Sequence, residues 1–145
     1  MSYSISLGKE YEIDITYNYS KYYYTSFEEK GIREIYGMSG RVSIPVLERM
    51  INDITFAYTD ADGAWKKNTK TITKTYSKET GEEIPTVIAI LKYVPSEYDI
   101  IENEVEYSEG STDDYWIATA ANAIKPLQEM LNAARLYPDE IWEGD

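Results

Sequence analysis

Two stretches of alternating apolar and polar residues predict β-strands. In the stretch 11–17, every odd position is tyrosine or isoleucine and every even position is polar, which is the period of a half-buried strand. In the stretch 68–77, the odd positions from Thr69 to Thr75 are all threonine, and β-branched residues favour strands. A partial alternation over 98–107 fits either an acidic strand or an extended loop, and 140–143 fits a last short strand.

A helical period predicts the first of two main helices at about 44–58. Apolar residues recur at positions 46, 47, 50, 51 and 54, which places them on one face of a helix. Ser43 is a suitable cap for its start, and Pro45 fits the first turn. The helix is expected to fade by Thr59, before a turn at 60–63.

The second main helix is predicted at about 112–137. Thr112 is expected to cap it, and Asp113 and Asp114 then lie in the first turn, where the helix dipole favours negative charge. Pro126 is expected to kink it by removing a backbone hydrogen bond to Asn122. Its buried stripe is predicted to contain Ile117, Ala120, Ala121, Ile124, Leu127, Leu131 and Ala134.

Shorter segments complete the predicted fold. One helical turn is expected at 32–36, and 21–29 fits either a short helix or a loop. The apolar run 84–94 fits helix or strand, and a capping-box pattern at Thr80 and Glu83 favours the helix. These elements predict an α+β fold, in which one domain over 1–145 packs a small antiparallel sheet with the two main helices.

The composition removes several classes of function. The chain of 145 residues has neither Cys nor His, which excludes catalytic triads with histidine, cysteine nucleophiles and the usual zinc sites. We expect no metal and no cofactor. No apolar stretch approaches the ~18 residues of a membrane span, and the N-terminus lacks a signal-peptide pattern, so a cytoplasmic protein is expected. Aromatic residues are abundant, with 15 Tyr, 3 Trp and 2 Phe, and tyrosine suits half-buried positions and interfaces.

The charge is divided unevenly along the chain. Residues 1–78 carry 11 Lys and Arg against 10 Asp and Glu, whereas residues 79–145 carry 3 against 16, a net of −13. The segment 97–114 alone holds eight acids and no base. Such a field repels nucleic acid and anionic membranes and attracts basic surfaces.

The acidic segment is therefore the first candidate for a partner-binding surface. On a strand, Glu102, Glu104 and Glu106 share one face about 6.5–7 Å apart, which is close to the phosphate spacing of an extended nucleic-acid strand. Such an array would fit an Arg/Lys groove of a host protein. The candidate binding residues are Glu97, Asp99, Glu102, Glu104, Glu106, Glu109, Asp113 and Asp114.

Two other interpretations of these acids stay open. They fit an ordinary solvated face that keeps the protein soluble. They also fit a pairing partner for the lysines at 66, 67, 70, 74 and 78, which form a basic strand close upstream. We favour that pairing over nucleic-acid binding by the lysines, because the overall charge opposes nucleic acid.

Aromatic residues provide a second candidate site. Strand ends and helix starts are places where small ligands bind. Aromatic residues lie at the end of the predicted strand 11–17 and at the start of the predicted second helix. A nucleotide would stack on the rings and place its phosphate on an arginine; the alternative is that the rings are core residues. The candidate ligand-binding residues are Tyr17, Asn18, Tyr19, Arg33, Tyr115 and Trp116.

Catalytic motifs are weak or missing. The turn with Asp60, Asp62 and Gly63 lacks the remaining ligands of a calcium loop, so an ordinary Asp-Gly turn is predicted. The turn at 37–40 lacks the lysine and context of a phosphate-binding loop. Paired carboxylates leave a metal-dependent, carboxylate-based enzyme as the remaining catalytic alternative, but no pair lies in a motif, so a non-enzyme is expected.

Parts of the sequence are similar to small phage and prophage proteins of unknown role. The similarity covers about 10–54 and 110–143, and the middle, about 55–109, has no counterpart and is interpreted as an insert. The Trp-Gly pair common in that group near the second helix is missing here. The matching segments are ITYNYS at 15–20, GIREIYGMSG at 31–40, DYW at 114–116 and NAARLYPD at 132–139.

This resemblance implies a phage accessory protein in the bacterial cytoplasm, and such proteins often act on host defence. Combined with the acidic segment, it leads to the expectation of a non-catalytic, anti-CRISPR-like inhibitor that binds a basic groove of a defence protein. The alternative is a sponge that sequesters a nucleotide second messenger in the aromatic site. Direct nucleic-acid and membrane binding are not expected, and homo-oligomerisation is left open.

Overall fold

The computed structural model describes residues 1–84 and 98–145, which fall into two compact units. The core unit comprises 1–66 and 108–145, and the strand unit comprises 67–107. The predicted α+β class is confirmed, with helices and two small antiparallel sheets in the described residues. The organisation of the chain as one domain with an insert at about 55–109 stays a prediction. The predicted helix at 84–94 also stays a prediction, because apart from Ile84 it lies outside the described residues.

The regular elements are as follows. The strands are β1 (Ser2–Leu7), β2 (Tyr11–Thr16), β3 (Lys67–Ser77), β4 (Glu83–Ile84), β5 (Tyr98–Ser108) and β6 (Trp142–Gly144). The α-helices of the described residues are α1 (Ser20–Tyr23), α2 (Gly40–Ala57) and α3 (Ala120–Leu136). Single 3-10 turns lie at Tyr17–Tyr19 and Gly31–Ile35. The second of these confirms the helical turn predicted near 32–36.

The sheet of the core unit has the strand order β2-β1-β6. Its central strand, β1, was not predicted, although Tyr3, Ile5 and Leu7 alternate with serines and are all buried. β1 runs antiparallel to both neighbours, with Ile5 opposite Ile13 and Leu7 opposite Trp142. The predicted strands at 11–17 and 140–143 are confirmed as β2 and β6.

Helix α2 begins earlier than the sequence predicts. Ser39, not Ser43, is its N-cap, since the Ser39 hydroxyl accepts a hydrogen bond from the backbone N–H of Val42. Ser43 lies buried in the first turns, where its hydroxyl donates to the Gly40 carbonyl and accepts from the indole N–H of Trp142, both at 2.8 Å. Ser43 fits the local pattern of a helix cap. Its partner Trp142 lies 99 residues away in the sequence, so the local pattern gives no sign of this contact.

Helix α3 begins later than the sequence predicts. Thr119 caps it through the N–H of Asn122, so Thr112 is not the cap, and Asp113 and Asp114 lie outside the helix. The segment 111–119 is irregular, because side chains from another part of the chain bind its backbone carbonyls, as described below. In the predicted stripe, Ala120, Leu127, Leu131 and Ala134 are buried, whereas Ile117 precedes the helix.

Helices α2 and α3 pack against each other in the core unit. Gly40 allows this at the start of α2, because a Cβ there would lie 2.5 Å from the carbonyl oxygen of Tyr137. The fully buried Trp142 joins this layer to the sheet. In the described part of the chain, no helix has the length and apolar character needed to cross a bilayer.

The strand unit is a sheet of order β4-β3-β5. β3 pairs antiparallel with β4, with Thr75 opposite Ile84, and lies beside β5. The predicted strand at 68–77 is therefore confirmed as β3. Of the two options for 98–107, the structure has the strand, β5.

The position of Ser43 makes a testable prediction. Ser43→Ala leaves the buried indole N–H of Trp142 without its acceptor, so the free energy of unfolding should fall by about 1–3 kcal/mol. Urea unfolding measures this. In a Trp142→Phe background the same serine change should cost clearly less, because no indole N–H remains. An equal cost in both backgrounds would contradict the assigned bond.

Candidate functional site

The predicted partner-binding acids are divided between the two units of the structure. Glu97 lies outside the described residues. Asp99, Glu102, Glu104 and Glu106 lie on β5 in the strand unit, and their residues are exposed. The other three belong to the core unit.

Glu109 is a correction to the predicted surface, because it is fully buried. Its carboxylate accepts a hydrogen bond from the Tyr22 hydroxyl, at 2.8 Å to Oε1 and 3.1 Å to Oε2. A carboxylate without water needs such partners. Glu109 therefore holds the core unit together and is not accessible to a partner.

Asp113 and Asp114 are exposed in the irregular segment 111–119. Asp114 also has a local structural role, because its Oδ1 accepts a hydrogen bond from the backbone N–H of Trp116 at 3.0 Å. Its carbonyl accepts from the Asn122 side chain at 2.9 Å. Asp114 thus shapes the turn that carries Tyr115 and Trp116.

The basic and acidic segments of the strand unit lie side by side, as the pairing interpretation expected. Lys67 approaches Glu106 at 3.6 Å, and Lys78 approaches Asp99 at 3.8 Å. All four side chains are about half or more exposed, and such pairs contribute only about 0–1 kcal/mol. No ion pair of Glu102 or Glu104 is found within 1–84 and 98–145. The pairing is therefore partial.

Four of the six predicted ligand-binding residues come together in the core unit. The Asn18 side chain donates to the Trp116 carbonyl at 3.0 Å, and the Tyr19 hydroxyl donates to the Tyr115 carbonyl. The rings of Tyr115 and Trp116 lie 4.9 Å apart with a tilt of 36°. They are 62% and 56% exposed, so the structure fixes their backbone and leaves the rings open to solvent.

The Tyr19 hydroxyl is held as a donor by its surroundings. Burial raises its pKa, and the nearby negative charge of Asp114 raises it further. The group is therefore protonated at neutral pH and able to donate to the Tyr115 carbonyl.

Arg33 and Tyr17 do not join this aromatic pair. The Arg33 guanidinium lies 4.8 Å from the centre of the Tyr3 ring and donates through Nε to the carbonyl of Asp145 at 2.8 Å. Tyr17 packs edge-on against Tyr3 at 4.6 Å. Arg33 is therefore not placed beside the rings of Tyr115 and Trp116, where the prediction needed it to contact a phosphate.

A cleft of about 250 Å³ lies next to Tyr115, between β2 and α3. The sequence did not indicate Asn122, which lines this cleft and is only 2% exposed. Its amide nitrogen donates to the carbonyls of Asp114 and Ile117, at 2.9 and 3.0 Å. Its carbonyl oxygen, Oδ1, has no hydrogen-bond partner among the described residues, and an unpaired buried polar atom costs about 1–3 kcal/mol.

The anchoring of the aromatic pair can be tested with tyrosine variants. Tyr19→Phe removes the donor to the Tyr115 carbonyl, so stability should fall by about 0.5–1.5 kcal/mol, and the amides of Trp116 and Ile117 should exchange faster. Amide hydrogen exchange by NMR measures this. Tyr17→Phe is the matched control, since no hydrogen bond of its hydroxyl is found in the described residues. Equal behaviour of the two variants would contradict the assignment.

Comparison with known proteins provides no assignment for this site. The chain matches no protein-family model, no curated protein and no solved structure. The resemblance to small phage and prophage proteins therefore stays a prediction, and the site has to be interpreted from its own geometry and charge.

Proposed function

We propose that the protein is a non-catalytic binding protein whose strand β5 engages a basic groove on another protein. The observation that carries this proposal is the exposure of β5: every residue from 99 to 106 is exposed, on both faces of the strand. A strand that only stabilised the fold would bury one face. Exposure of both faces is typical of a strand available to a partner.

The chemistry of β5 supports a mixed acidic and apolar contact. Ile100, Ile101 and Val105 are 48%, 44% and 38% exposed, and they alternate irregularly with the acids. Exposed apolar residues next to charge mark interaction surfaces, and charge complementarity adds selectivity and speed of association. The expected partner therefore carries Lys or Arg beside apolar side chains.

The acids are available for such a contact. Within 1–84 and 98–145, Glu102 and Glu104 make no ion pair, and the one ion pair of Glu106 is its exposed contact with Lys67. Because an exposed pair is weak, a basic partner would replace Lys67 at little cost. The spacing of about 6.5–7 Å along one strand face supports competition with a nucleic-acid backbone.

The charge of the whole chain supports attraction of a basic partner. By sequence, the core unit has 9 Lys and Arg against 18 Asp and Glu, and the strand unit has 5 against 8. Both units are acidic, so the fold does not gather the negative charge into the strand unit. The general field steers a basic protein towards the molecule, and β5 supplies the specific contact.

The biological setting of the proposal comes from the sequence resemblance. It favours a phage accessory protein in the bacterial cytoplasm that blocks a host defence protein, as an anti-CRISPR-like inhibitor does. The blocked groove would be one that normally holds nucleic acid.

The nucleotide sponge is the second candidate, and one observation favours it. Four of the predicted ligand-binding residues lie together: Asn18, Tyr19, Tyr115 and Trp116. The rings of Tyr115 and Trp116 are exposed. The position of Arg33 at the Tyr3 ring gives an anionic ligand little support at the paired rings. We therefore place the sponge second, ahead of a carboxylate-based enzyme; within 1–84 and 98–145 no group of three acids is arranged to hold a metal.

The proposal is tested by charge reversal on β5. The double variant Glu102→Lys/Glu104→Lys, used as bait in a bacterial lysate beside the natural chain, should lose at least about tenfold in affinity for the captured protein. Raising the salt from about 0.1 to about 1 M, which shortens the screening length from about 10 to about 3 Å, should weaken the natural complex. The protein should also displace nucleic acid from its purified partner.

Glu28→Lys/Glu29→Lys is the matched control, since it makes the same charge change at exposed residues of the core unit. The control should keep its affinity within about twofold. Equal loss in both variants would point to general charge alone, and no loss in the β5 variant would reject the proposed surface.

A further inference from the structure

Strand β2 lies at the edge of the core-unit sheet, and β1 is its one neighbour in the described residues. Just past the end of β2, the backbone N–H of Tyr17 donates to the Met1 carbonyl at 3.2 Å. In the register of the two antiparallel strands, bonded pairs then recur at every second residue, so the odd-numbered residues of β2 bond to β1. The backbone N–H and C=O groups of Glu12 and Asp14 therefore point away from the sheet.

These outward backbone groups have no hydrogen-bond partner within 1–84 and 98–145. A row of unpaired N–H and C=O groups on an edge strand is a template for the addition of another strand. When an extended peptide adds to such an edge, its main-chain hydrogen bonds provide affinity, and its alternate side chains provide specificity by entering pockets.

Open space flanks this edge on both faces of the sheet. On the face towards the helices, the cleft of about 250 Å³ between β2 and α3 is lined by Ile13, Ile15 and Pro126, among others. On the outer face, a groove of about 480 Å³ is lined by residues of β1 and β2. Asp14 lines both spaces. Its carboxylate accepts from the Ser4 hydroxyl at 2.9 Å on the outer face, so its backbone is the part that reaches the cleft.

The cleft at α3 defines one side chain of an added strand. Successive side chains of a strand point to opposite faces, so the residue opposite Ile13 would point into this cleft. The walls there are largely apolar, and the charges of Lys125 and Glu129 at its rim offset each other. An aliphatic side chain fits this position.

The outer face defines the two side chains on either side of it. Strands β1, β2 and β6 contain no Lys or Arg, whereas Glu12, Asp14 and Glu143 are all exposed. Opposite charges directly across a strand pair stabilise the pairing, and like charges destabilise it. The residues opposite Glu12 and Asp14 should therefore be Lys or Arg. A second copy of β2 would bring acids against acids, which disfavours self-pairing.

We infer that β2 binds an extended basic segment of another protein as an added antiparallel strand. Lys or Arg of that segment lies opposite Glu12 and Asp14, and an aliphatic side chain between them enters the cleft at α3. The orientation continues that of both existing pairs in the sheet. The surface belongs to the core unit and not to β5, so the inference does not depend on the proposed function.

The peptide acetyl-Val-Lys-Val-Lys-Val-amide is the probe, and amide hydrogen exchange by NMR on the full chain is the measurement. At a peptide concentration of about ten times the dissociation constant, the amides of Glu12 and Asp14 should exchange about tenfold more slowly. The amides of Ile13 and Ile15 already bond to β1 and should change less. A dissociation constant of about 1 mM or below is expected for this short peptide. The analogue with glutamate in place of lysine should leave the exchange unchanged.

Methylation of single peptide nitrogens tests the backbone pairing itself. In the antiparallel arrangement the lysine N–H groups donate to the carbonyls of Glu12 and Asp14, so a methyl group on one lysine nitrogen should weaken binding at least about fivefold. The N–H of the central valine points away from β2. Its methylation is the matched control and should keep the affinity within about twofold.

Charge reversal on the protein tests the assigned chemistry. Glu12→Lys/Asp14→Lys should lose at least about tenfold in affinity for the lysine peptide and should bind the glutamate analogue instead. Both acids are exposed, so the change leaves the core in place. Glu28→Lys/Glu29→Lys makes the same charge change at exposed residues away from β2 and should keep its affinity within about twofold.

Several results would overturn the inference. Unchanged exchange at Glu12 and Asp14 up to about 10 mM lysine peptide, tenfold above the expected constant, would reject the site. Equal protection by the lysine and glutamate peptides would reject the assigned charge, and equal effects of the two methylations would reject the antiparallel pairing. Protection in the chain alone that rises with protein concentration would place a second copy at this edge and reject a foreign segment.

Discussion

The buried carboxylate of Glu109 is the contact on which the core unit depends most. Its side chain accepts from Tyr22, its backbone N–H donates to the Lys66 carbonyl at 2.9 Å, and its carbonyl accepts from Ala121 at 2.9 Å. These bonds join α1, the chain before the strand unit and the first turn of α3. The carboxylate bond links residue 109 to α1, and the two backbone bonds link it to Lys66 and α3. Loss of the Tyr22 hydroxyl would remove a donor from a buried carboxylate, which is strongly destabilising.

Hydroxyl groups of neighbouring tyrosines extend this arrangement over the irregular segment before α3. The single hydroxyl proton of Tyr22 is shared between the Glu109 carboxylate and the Ala118 carbonyl, both at 2.8 Å. Tyr19 donates to the carbonyl of Tyr115, and Tyr23 donates at 2.9 Å to the carbonyl of Ala123, within α3. The rings of the three tyrosines are buried, and the hydroxyls of Tyr19 and Tyr22 bind backbone carbonyls that lie outside the helices and strands. These three tyrosines therefore combine a buried ring with a hydrogen bond to the backbone.

The sequence predicted what local pattern determines and missed what distant partners determine. β2, β3 and the body of α2 follow from periodicity and were found. β1 was missed because its six-residue alternation uses serine and lies at the chain start. The start of α3 was placed too early because Thr112, Asp113 and Asp114 make a good local cap signal. The distant donors to the carbonyls of this segment, Asn18, Tyr19 and Tyr22, lie 96–98 residues away. Asn18, Tyr19, Tyr115 and Trp116 lie together as expected, but Tyr115 and Trp116 precede α3 rather than start it, and Tyr17 and Arg33 lie apart from them. Glu109 and Asn122 carry no local signal that separates them from other acids and amides.

The central claim is that Glu109 and Tyr22 act as one buried unit, and a double-mutant cycle tests it most directly. Urea unfolding of the natural chain, Tyr22→Phe, Glu109→Leu and the double variant gives the coupling free energy between the two side chains, because leucine has no acceptor for the Tyr22 hydroxyl. The account predicts a favourable coupling of about 1.5–3 kcal/mol, the range of hydrogen bonds to charged groups. Additive losses, with a coupling below about 0.5 kcal/mol, would contradict it.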